Sequence, residues 1–170
     1  MEDELRKCVK DALEMLYQRD KRLILNDYAT RNYNHNSERG IVCHFSSYLA
    51  NIIEKNDMFA KYNIDCEYNR NKGDKKCLPS FKNGVFPDLI IHKRGFNDDN
   101  LLVAEFKGWW NSSDNELGKD RLKIAQFMDK AGEYEYQFGL LVVLGEEREK
   151  IKIEWSNQNS KETKLTWGQL

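Results

Sequence analysis

The stretch FPDLIIHKRGFNDDNLLVAEFK, residues 86 to 107, decides the fold. It holds two apolar runs separated by a polar turn at residues 95 to 100, the pattern of two adjacent strands. Asp88 lies in the first run, and Glu105 and Lys107 lie in the second. Burying a carboxylate is costly unless a cation compensates it, so these three residues are the first functional candidates.

Strand geometry predicts where these side chains point. Side chains alternate between the two faces of a strand, so Glu105 and Lys107 should project to one side while Ala104 and Phe106 project to the other. Two carboxylates and one ammonium on neighbouring strands suit a divalent cation and an activated water. The residues themselves therefore predict a metal site.

Pro87-Asp88 followed by Glu105-Phe106-Lys107 resembles the two halves of the PD-(D/E)xK nuclease motif, found in the restriction-endonuclease-like fold. Segments flanking the motif are similar to those of a small stand-alone bacterial or phage-borne group of that superfamily. These segments are residues 65 to 70, 92 to 95, 100 to 103 and 120 to 123. The resemblance covers roughly residues 37 to 145.

The resemblance implies a catalytic role for four side chains. Asp88 and Glu105 would bind Mg2+ or Mn2+, with the backbone carbonyl of Phe106 as a further ligand. Glu38, at the start of a predicted helix, would be an additional acid at the metal. Lys107 would orient or deprotonate the water, or neutralise charge on the phosphate. A desolvated lysine beside a metal can have a lowered pKa, which would let it act as a base.

Each candidate also has a structural interpretation. Asp88 could cap a turn, Glu105 could form a salt bridge with a lysine, and Lys107 could be a surface lysine with a buried stem. Glu38 could be a first-turn acid that the helix dipole favours.

A wider set of polar residues is predicted to line the substrate groove: Glu67, Tyr68, Asn69, Arg70, His92, Arg121 and Gln126. Glu67 could equally be an exposed strand carboxylate, His92 a structural histidine and Gln126 a helix-surface residue. Trp109-Trp110 could stack on unpaired bases or bind a partner, but core cover is the favoured interpretation.

Composition bounds the class of protein. With 170 residues, 40% apolar and 32% charged, the chain is expected to form one domain, residues 1 to 170. No apolar run approaches the roughly 20 residues of a membrane span, and no signal peptide is recognisable, so we expect a cytoplasmic protein without membrane contact. Four scattered cysteines argue against zinc. The net charge of -1 argues against a general nucleic-acid coat protein, although residues 68 to 83 are locally basic.

Periodicity and turn residues predict an α/β fold with a restriction-endonuclease-like α-β-β-β-α-β core. Its mixed central sheet would be flanked by helices, with an extra N-terminal helix and a C-terminal hairpin strand. The predicted helices are residues 2 to 18, 38 to 55 (with Ser37 as cap) and 116 to 135. The predicted strands are 63 to 69, 85 to 92, 101 to 107, 137 to 144 and 151 to 155. Residues 20 to 36 and 70 to 84 are predicted as a connector and a loop, and the tail from Ser156 is predicted to fray unless Trp167 docks.

The first functional hypothesis is a Mg2+-dependent endonuclease that hydrolyses nucleic acid, with DNA as the expected substrate. It would act as a homodimer or with a specificity-conferring protein partner if both strands are cut. The alternative is a catalytically silent nuclease-fold module that binds or regulates protein partners. A weaker alternative is a structural subunit in which Glu105 and Lys107 form only a buried salt bridge. Motifs for ATP binding, a serine nucleophile elbow or an HExxH zinc site are not found.

Overall fold

The computed structural model describes residues 1 to 25, 37 to 159 and 163 to 170. Its helices are α1 Glu2–Arg19, α2 Lys21–Leu25, α3 Glu38–Ile53 and α4 Asp114–Met128. Its strands are β1 Asn63–Cys66, β2 Arg70–Asn71, β3 Asp74–Lys75, β4 Leu89–His92, β5 Leu102–Lys107, β6 Phe138–Val143, β7 Lys152–Asn157 and β8 Thr163–Leu165. Short 3-10 turns lie at Trp109–Asn111, Arg148–Lys150 and Trp167–Gln169.

Six strands form a mixed sheet in the order β1-β4-β5-β6-β7-β8, and β2 pairs with β3 in a separate hairpin. β5 and β6 run parallel, and the remaining neighbours in the large sheet are antiparallel. The parallel pair requires a crossover, which α4 provides. The prediction of an α/β fold with a mixed sheet flanked by helices is confirmed.

The two faces of the sheet pack against different helices. Ala104 and Phe106 belong to the core cluster that contains α1 and α3, and the Phe106 ring lies 4.9 Å from that of Phe45. Val103 belongs to a second cluster, with Ile124 and other buried residues of α4. Side chains at odd-numbered positions of β5 therefore face α4, as strand alternation predicts.

Several element boundaries differ from the predictions. The predicted helix 116 to 135 ends at Met128 instead, because Asp129 leaves the helical conformation and its carboxylate accepts the N–H of Ala131 at 2.9 Å. The predicted strand 63 to 69 ends at Cys66, since Glu67 has a φ of 49°. Ser37 occupies the N-cap position of α3, but its side chain makes no capping hydrogen bond.

Three segments predicted as irregular contain regular structure. Residues 21 to 25 of the connector form α2, and residues 26 to 36 lie outside the described residues. The 70 to 84 loop begins with the β2–β3 hairpin. In the tail, β8 pairs with β7. Trp167 packs against the core cluster that contains α1 and α3, called the main core below, which agrees with the expectation that Trp167 could dock. Within the described ranges, no helix has both the length and the apolar character of a membrane span.

Lys76 is a buried cation that anchors the segment after β3. Its side chain is 1% exposed, and its Nζ lies 4.8 Å from the ring centroid of Tyr134 and 5.6 Å from that of Tyr68. Burial lowers the pKa of Lys76 to about 8, although the carboxylates of Glu133 and Asp65 oppose this shift. The two aromatic faces thus hold a charge that the interior disfavours.

We expect this charge to make stability depend on alkaline pH. The folded pKa of Lys76 lies below its ordinary value of 10.5, so protonated Lys76 costs stability at every pH below about 8. That cost disappears as the pH rises from about 8 to 10.5. Relative to Lys76→Met, the free energy of unfolding of the unsubstituted protein should rise by about 3 kcal/mol over this interval in urea titrations. The exposed neighbour substitution Lys82→Met should show no such change, and a flat difference curve for Lys76→Met would contradict the prediction.

Candidate functional site

Glu105 is the most deeply buried charged side chain of the site. It is 0% exposed on β5, where strand alternation turns it toward α4. Its Oε2 accepts a short hydrogen bond from Lys123, while Oε1 has no hydrogen-bond partner among the described residues. Burial raises the pKa of Glu105 well above its ordinary value, Asp88 raises it further, and Lys123 opposes the shift.

Asp88 lies beside Glu105, immediately before β4. Leu89 is aligned with Ala104, so the residue before Leu89 arrives next to Glu105. Asp88 Oδ2 accepts the backbone N–H of Phe106 at 2.7 Å, which binds the carboxylate to β5 rather than to a local turn. Burial raises the pKa of Asp88, although this hydrogen bond and the two nearby lysines, Lys123 and Lys107, oppose it.

The backbone N–H and C=O of Phe106 point toward the side of β5 on which Asp88 lies. Its N–H donates to Asp88, and the N–H and C=O of one strand residue face the same neighbouring strand. The carbonyl of Phe106 therefore points to the side on which Asp88 lies. This orientation is the one that its predicted role as a ligand requires.

Lys107 continues the same face of β5 and is held by two carboxylates. Its Nζ lies 3.1 Å from Asp120 Oδ2 and 3.8 Å from Glu38 Oε2. Burial lowers the pKa of Lys107, but Asp120 and Glu38 outweigh burial and the net pKa is raised. This direction belongs to the cluster without an ion, whereas the lowered pKa is expected for a lysine beside a bound metal.

Glu38 reaches the cluster from the first turn of α3. Its Oε1 accepts the backbone N–H of Gly108 at 2.9 Å and the Asn111 side-chain amide at 3.4 Å, while Oε2 faces Lys107. The structure therefore brings all four predicted catalytic residues to one place. Glu38 does more than complement the helix dipole, because it fixes the chain that leaves β5.

Two residues of α4 complete the cluster, and the sequence analysis missed both of them. Asp120 is 3% exposed, and Lys123 Nζ lies 2.9 Å from its Oδ1 as well as against Glu105. A signal was present, because Asp120 precedes the buried Ile124 by four residues and Lys123 precedes the buried Phe127 by four. Helical spacing thus places both on the packed face of α4.

The cluster carries an excess of negative charge. Four carboxylates (Asp88, Glu105, Asp120 and Glu38) face two ammonium groups (Lys107 and Lys123), a formal balance of -2. Carboxylate and carbonyl oxygens are the ligands that Mg2+ and Mn2+ prefer. The buried, unpartnered Oε1 of Glu105 and this donor set fit such an ion. Among the described residues, no three acidic, cysteine or histidine side chains already form a metal-binding group.

Glu67 is the substrate-groove candidate that comes nearest to the cluster. Its carboxylate pairs with Arg39, with Oε1 and Nε 2.5 Å apart. Both residues line a cleft of about 160 Å3, together with Asp88, Val42 and Cys66. The structure thus brings Glu67 to the side of Asp88 that faces α3.

The candidates close to the β2–β3 hairpin lie farther from Asp88 than Glu67 does. His92 is 2% exposed, and its Nε2 bonds Asp65 Oδ2 at 2.9 Å, which matches the structural interpretation of this histidine. Its ring lies 4.9 Å from that of Tyr68. His92 lies four positions after Asp88 along the strand, a span of roughly 13 Å. Asn69 binds the Lys76 N–H through its carbonyl at 2.6 Å, and Arg70 is exposed in β2.

Two candidates on α4 are engaged elsewhere. Arg121 forms a two-point ion pair with Glu154, at 2.6 and 2.7 Å. Glu154 is aligned with Leu141, which is aligned with Glu105, so it lies two strands from Glu105, roughly 10 Å away. Gln126 holds the loop after β3, since it donates to Ser80 Oγ at 2.7 Å and accepts the Ser80 N–H at 3.1 Å.

The two indoles after Lys107 have different environments. Trp110 packs against the main core, as the favoured interpretation predicted. Trp109 is 40% exposed, meets Trp110 edge to face at 5.6 Å, and donates its indole N–H to the carbonyl of Ile24 at 3.4 Å. Core cover therefore describes Trp110 better than Trp109.

In comparisons with known proteins, no family model, no curated protein and no solved structure matches this chain.

We expect Glu105→Gln to leave the metal-free protein equally or more stable. A carboxyl whose folded pKa is raised contributes stability below its ordinary pKa of 4.5 and loses it as the pH rises through the folded value. In chelator, the unsubstituted protein should thus lose stability relative to Glu105→Gln as the pH rises above 4.5. Urea denaturation at several pH values measures this difference.

Glu116→Gln is the matched control, because Glu116 lies on α4 in an exposed pair with Lys119. It should leave the stability nearly unchanged, because exposed ion pairs are screened by solvent. If Glu105→Gln destabilised the metal-free protein at neutral pH, Glu105 would be a structural salt-bridge partner instead.

Proposed function

We propose that this protein is a metal-dependent nuclease of the PD-(D/E)xK superfamily that hydrolyses phosphodiester bonds, with DNA as the expected substrate. The observation that carries the proposal is Glu105, whose fully buried carboxylate keeps one oxygen unpartnered beside Asp88. A carboxylate in this setting needs compensating positive charge, and the described side chains supply only part of it.

The ion would be Mg2+ or Mn2+, held by Asp88, Glu105 and the carbonyl of Phe106, with Glu38 as a further acid. Once bound, such an ion lowers the pKa of a water molecule and stabilises charge on phosphorus and on the leaving oxygen. The residues of the chain then have to bind the phosphate, align the water and exclude competing interactions.

Lys107 acts here as a protonated group. Asp120 and Glu38 raise its pKa, so it holds its proton at neutral pH. Among the roles foreseen for this lysine, the charge pattern favours donation to the phosphate or to the water over proton abstraction. As the oxygen of the water bonds to phosphorus, the bond to the 3′ oxygen breaks, and the proton that the water releases to solvent is balanced by the proton that the departing 3′ oxygen takes up from solvent.

The architecture supports the family assignment. α3, β1, β4, β5, α4 and β6 follow one another as helix, three strands, helix and strand, with β5 parallel to β6. This is the order expected for a restriction-endonuclease-like core. The motif residues Asp88, Glu105 and Lys107 meet where β4 begins and β5 ends.

The protein has a basic surface to which the expected nucleic acid could bind. Arg70, Lys72, Lys75 and Lys82 are exposed on the β2–β3 hairpin and the loop that follows it. Such residues bind phosphates without reading sequence. The proposed site of action is the cytoplasm. To cut both strands of a duplex, the protein would need a second copy of itself or a specificity-conferring partner.

The alternative proposal, a catalytically silent module that acts through protein partners, would need neither the metal nor Lys107.

The weaker alternative, a structural subunit, would depend on ion pairs other than the expected one. Glu105 pairs with Lys123 and Lys107 pairs with Asp120, so the supposed Glu105–Lys107 salt bridge is not the pairing seen.

A cleavage panel distinguishes these functions. Single- and double-stranded DNA and RNA are incubated with the protein in Mg2+, Mn2+ or chelator. We expect metal-dependent cutting that Lys107→Ala reduces by about a hundredfold or more, because a donor to the transition state is removed. Asp88→Asn should abolish cutting together with Mn2+ binding.

Lys119→Ala is the matched control, since Lys119 lies on α4 but is 55% exposed and pairs only with Glu116 among the contacts described. It should cut like the unsubstituted protein. Equal inertness of all variants on every substrate would contradict the nuclease and favour the silent module.

A further inference from the structure

Lys123 occupies a position beside Glu105 that would have to be vacated before this carboxylate could bind a metal ion. Its Nζ touches Glu105 Oε2, the oxygen next to the unpartnered Oε1, and lies 2.9 Å from Asp120 Oδ1. Its side chain is 16% exposed, so it belongs to the interior rather than to the solvated face of α4. The proposed reaction assigns this lysine no role.

The contacts of Lys123 are those of a substitute cation. A buried carboxylate requires a compensating charge, and an ammonium on a four-carbon stem provides it without a fixed coordination geometry. Asp120, one turn earlier on α4, gives the ammonium a second anchor. Lys123 can therefore release Glu105 by a side-chain rotation and still keep one carboxylate partner.

Lys107 is not equivalent to Lys123 in this respect. Its Nζ contacts Asp120 and Glu38, at 3.1 and 3.8 Å. The ammonium that lies directly against Glu105 is that of Lys123. An ammonium and a divalent ion that share one buried carboxylate repel each other strongly in a medium of low dielectric.

We infer that Lys123 is a tethered counter-cation that competes with the divalent ion for Glu105 and so sets the metal affinity of the site. The inference rests on the proposed function, because it concerns the same metal site. Lys123 compensates Glu105 while the ion is not bound, and it turns toward Asp120 when Glu105 serves as a ligand. Asp120 is then the positioning residue that keeps Lys123 within the site.

Calorimetric titration of the full chain with Mn2+ at one fixed pH tests the inference. Lys123→Gln removes the charge but keeps an amide donor for Glu105, so it should bind Mn2+ about tenfold more tightly or better, equivalent to about 1.4 kcal/mol. Lys123→Arg keeps the charge and offers a forked donor that matches a carboxylate, so it should bind Mn2+ more weakly than the unsubstituted protein. Lys119→Gln, an exposed lysine of the same helix, should leave the affinity unchanged.

The outcomes separate this inference from the proposed function. If the unsubstituted protein binds Mn2+ and Lys123→Gln binds it no more tightly, the competition is refuted while the metal site stands. If Glu105→Gln binds Mn2+ as well as the unsubstituted protein, or none of the proteins binds it, the proposed metal site fails and the inference fails with it. If Lys123→Gln does not fold, Lys123→Arg decides, and an affinity equal to or above that of the unsubstituted protein overturns the inference.

Discussion

A carboxylate buried on β5 is the constraint from which the architecture of the site follows. Glu105 is completely removed from solvent, so its charge must be compensated by groups that other elements bring to it. α4 contributes Lys123 directly, and the crossover that allows β5 and β6 to run parallel is what places α4 over Glu105. The connection that the sheet topology requires thus also brings the ammonium that compensates this carboxylate.

The two faces of β5 separate the packing against α1 and α3 from the cluster of charged groups. Phe106 and Ala104 point into the large core formed with α1 and α3, which fixes the strand through ordinary apolar packing. The opposite face carries Glu105 and Lys107, and Asp88 joins them by accepting the Phe106 N–H. A rigid strand therefore holds the polar groups in place, and the carboxylates can remain close together although burial raises the pKa of both Asp88 and Glu105.

Much of the fold was predictable because its signals are local. Apolar periodicity located α1, α3 and five strands of the large sheet, and strand alternation placed Glu105 and Lys107 on one face. The end of α4 was not predictable from periodicity, since apolar residues continue beyond Met128 and the helix stops through the local hydrogen bond of Asp129. The polar tail also carried little signal, because β8 depends on pairing with β7 for its structure.

The sequence by itself determined that Asp88, Glu105 and Lys107 lie in or beside apolar runs, since a charged residue in an apolar run is conspicuous at short range. Only the tertiary structure decided their partners. Lys123 rather than Lys107 compensates Glu105, and Asp120 holds both lysines, because the crossover sets how α4 lies on the sheet. The pKa of Lys107 likewise rises through carboxylates from α3 and α4, which are distant in the chain. Electrostatic compensation depends on distances between elements, and folding fixes those distances.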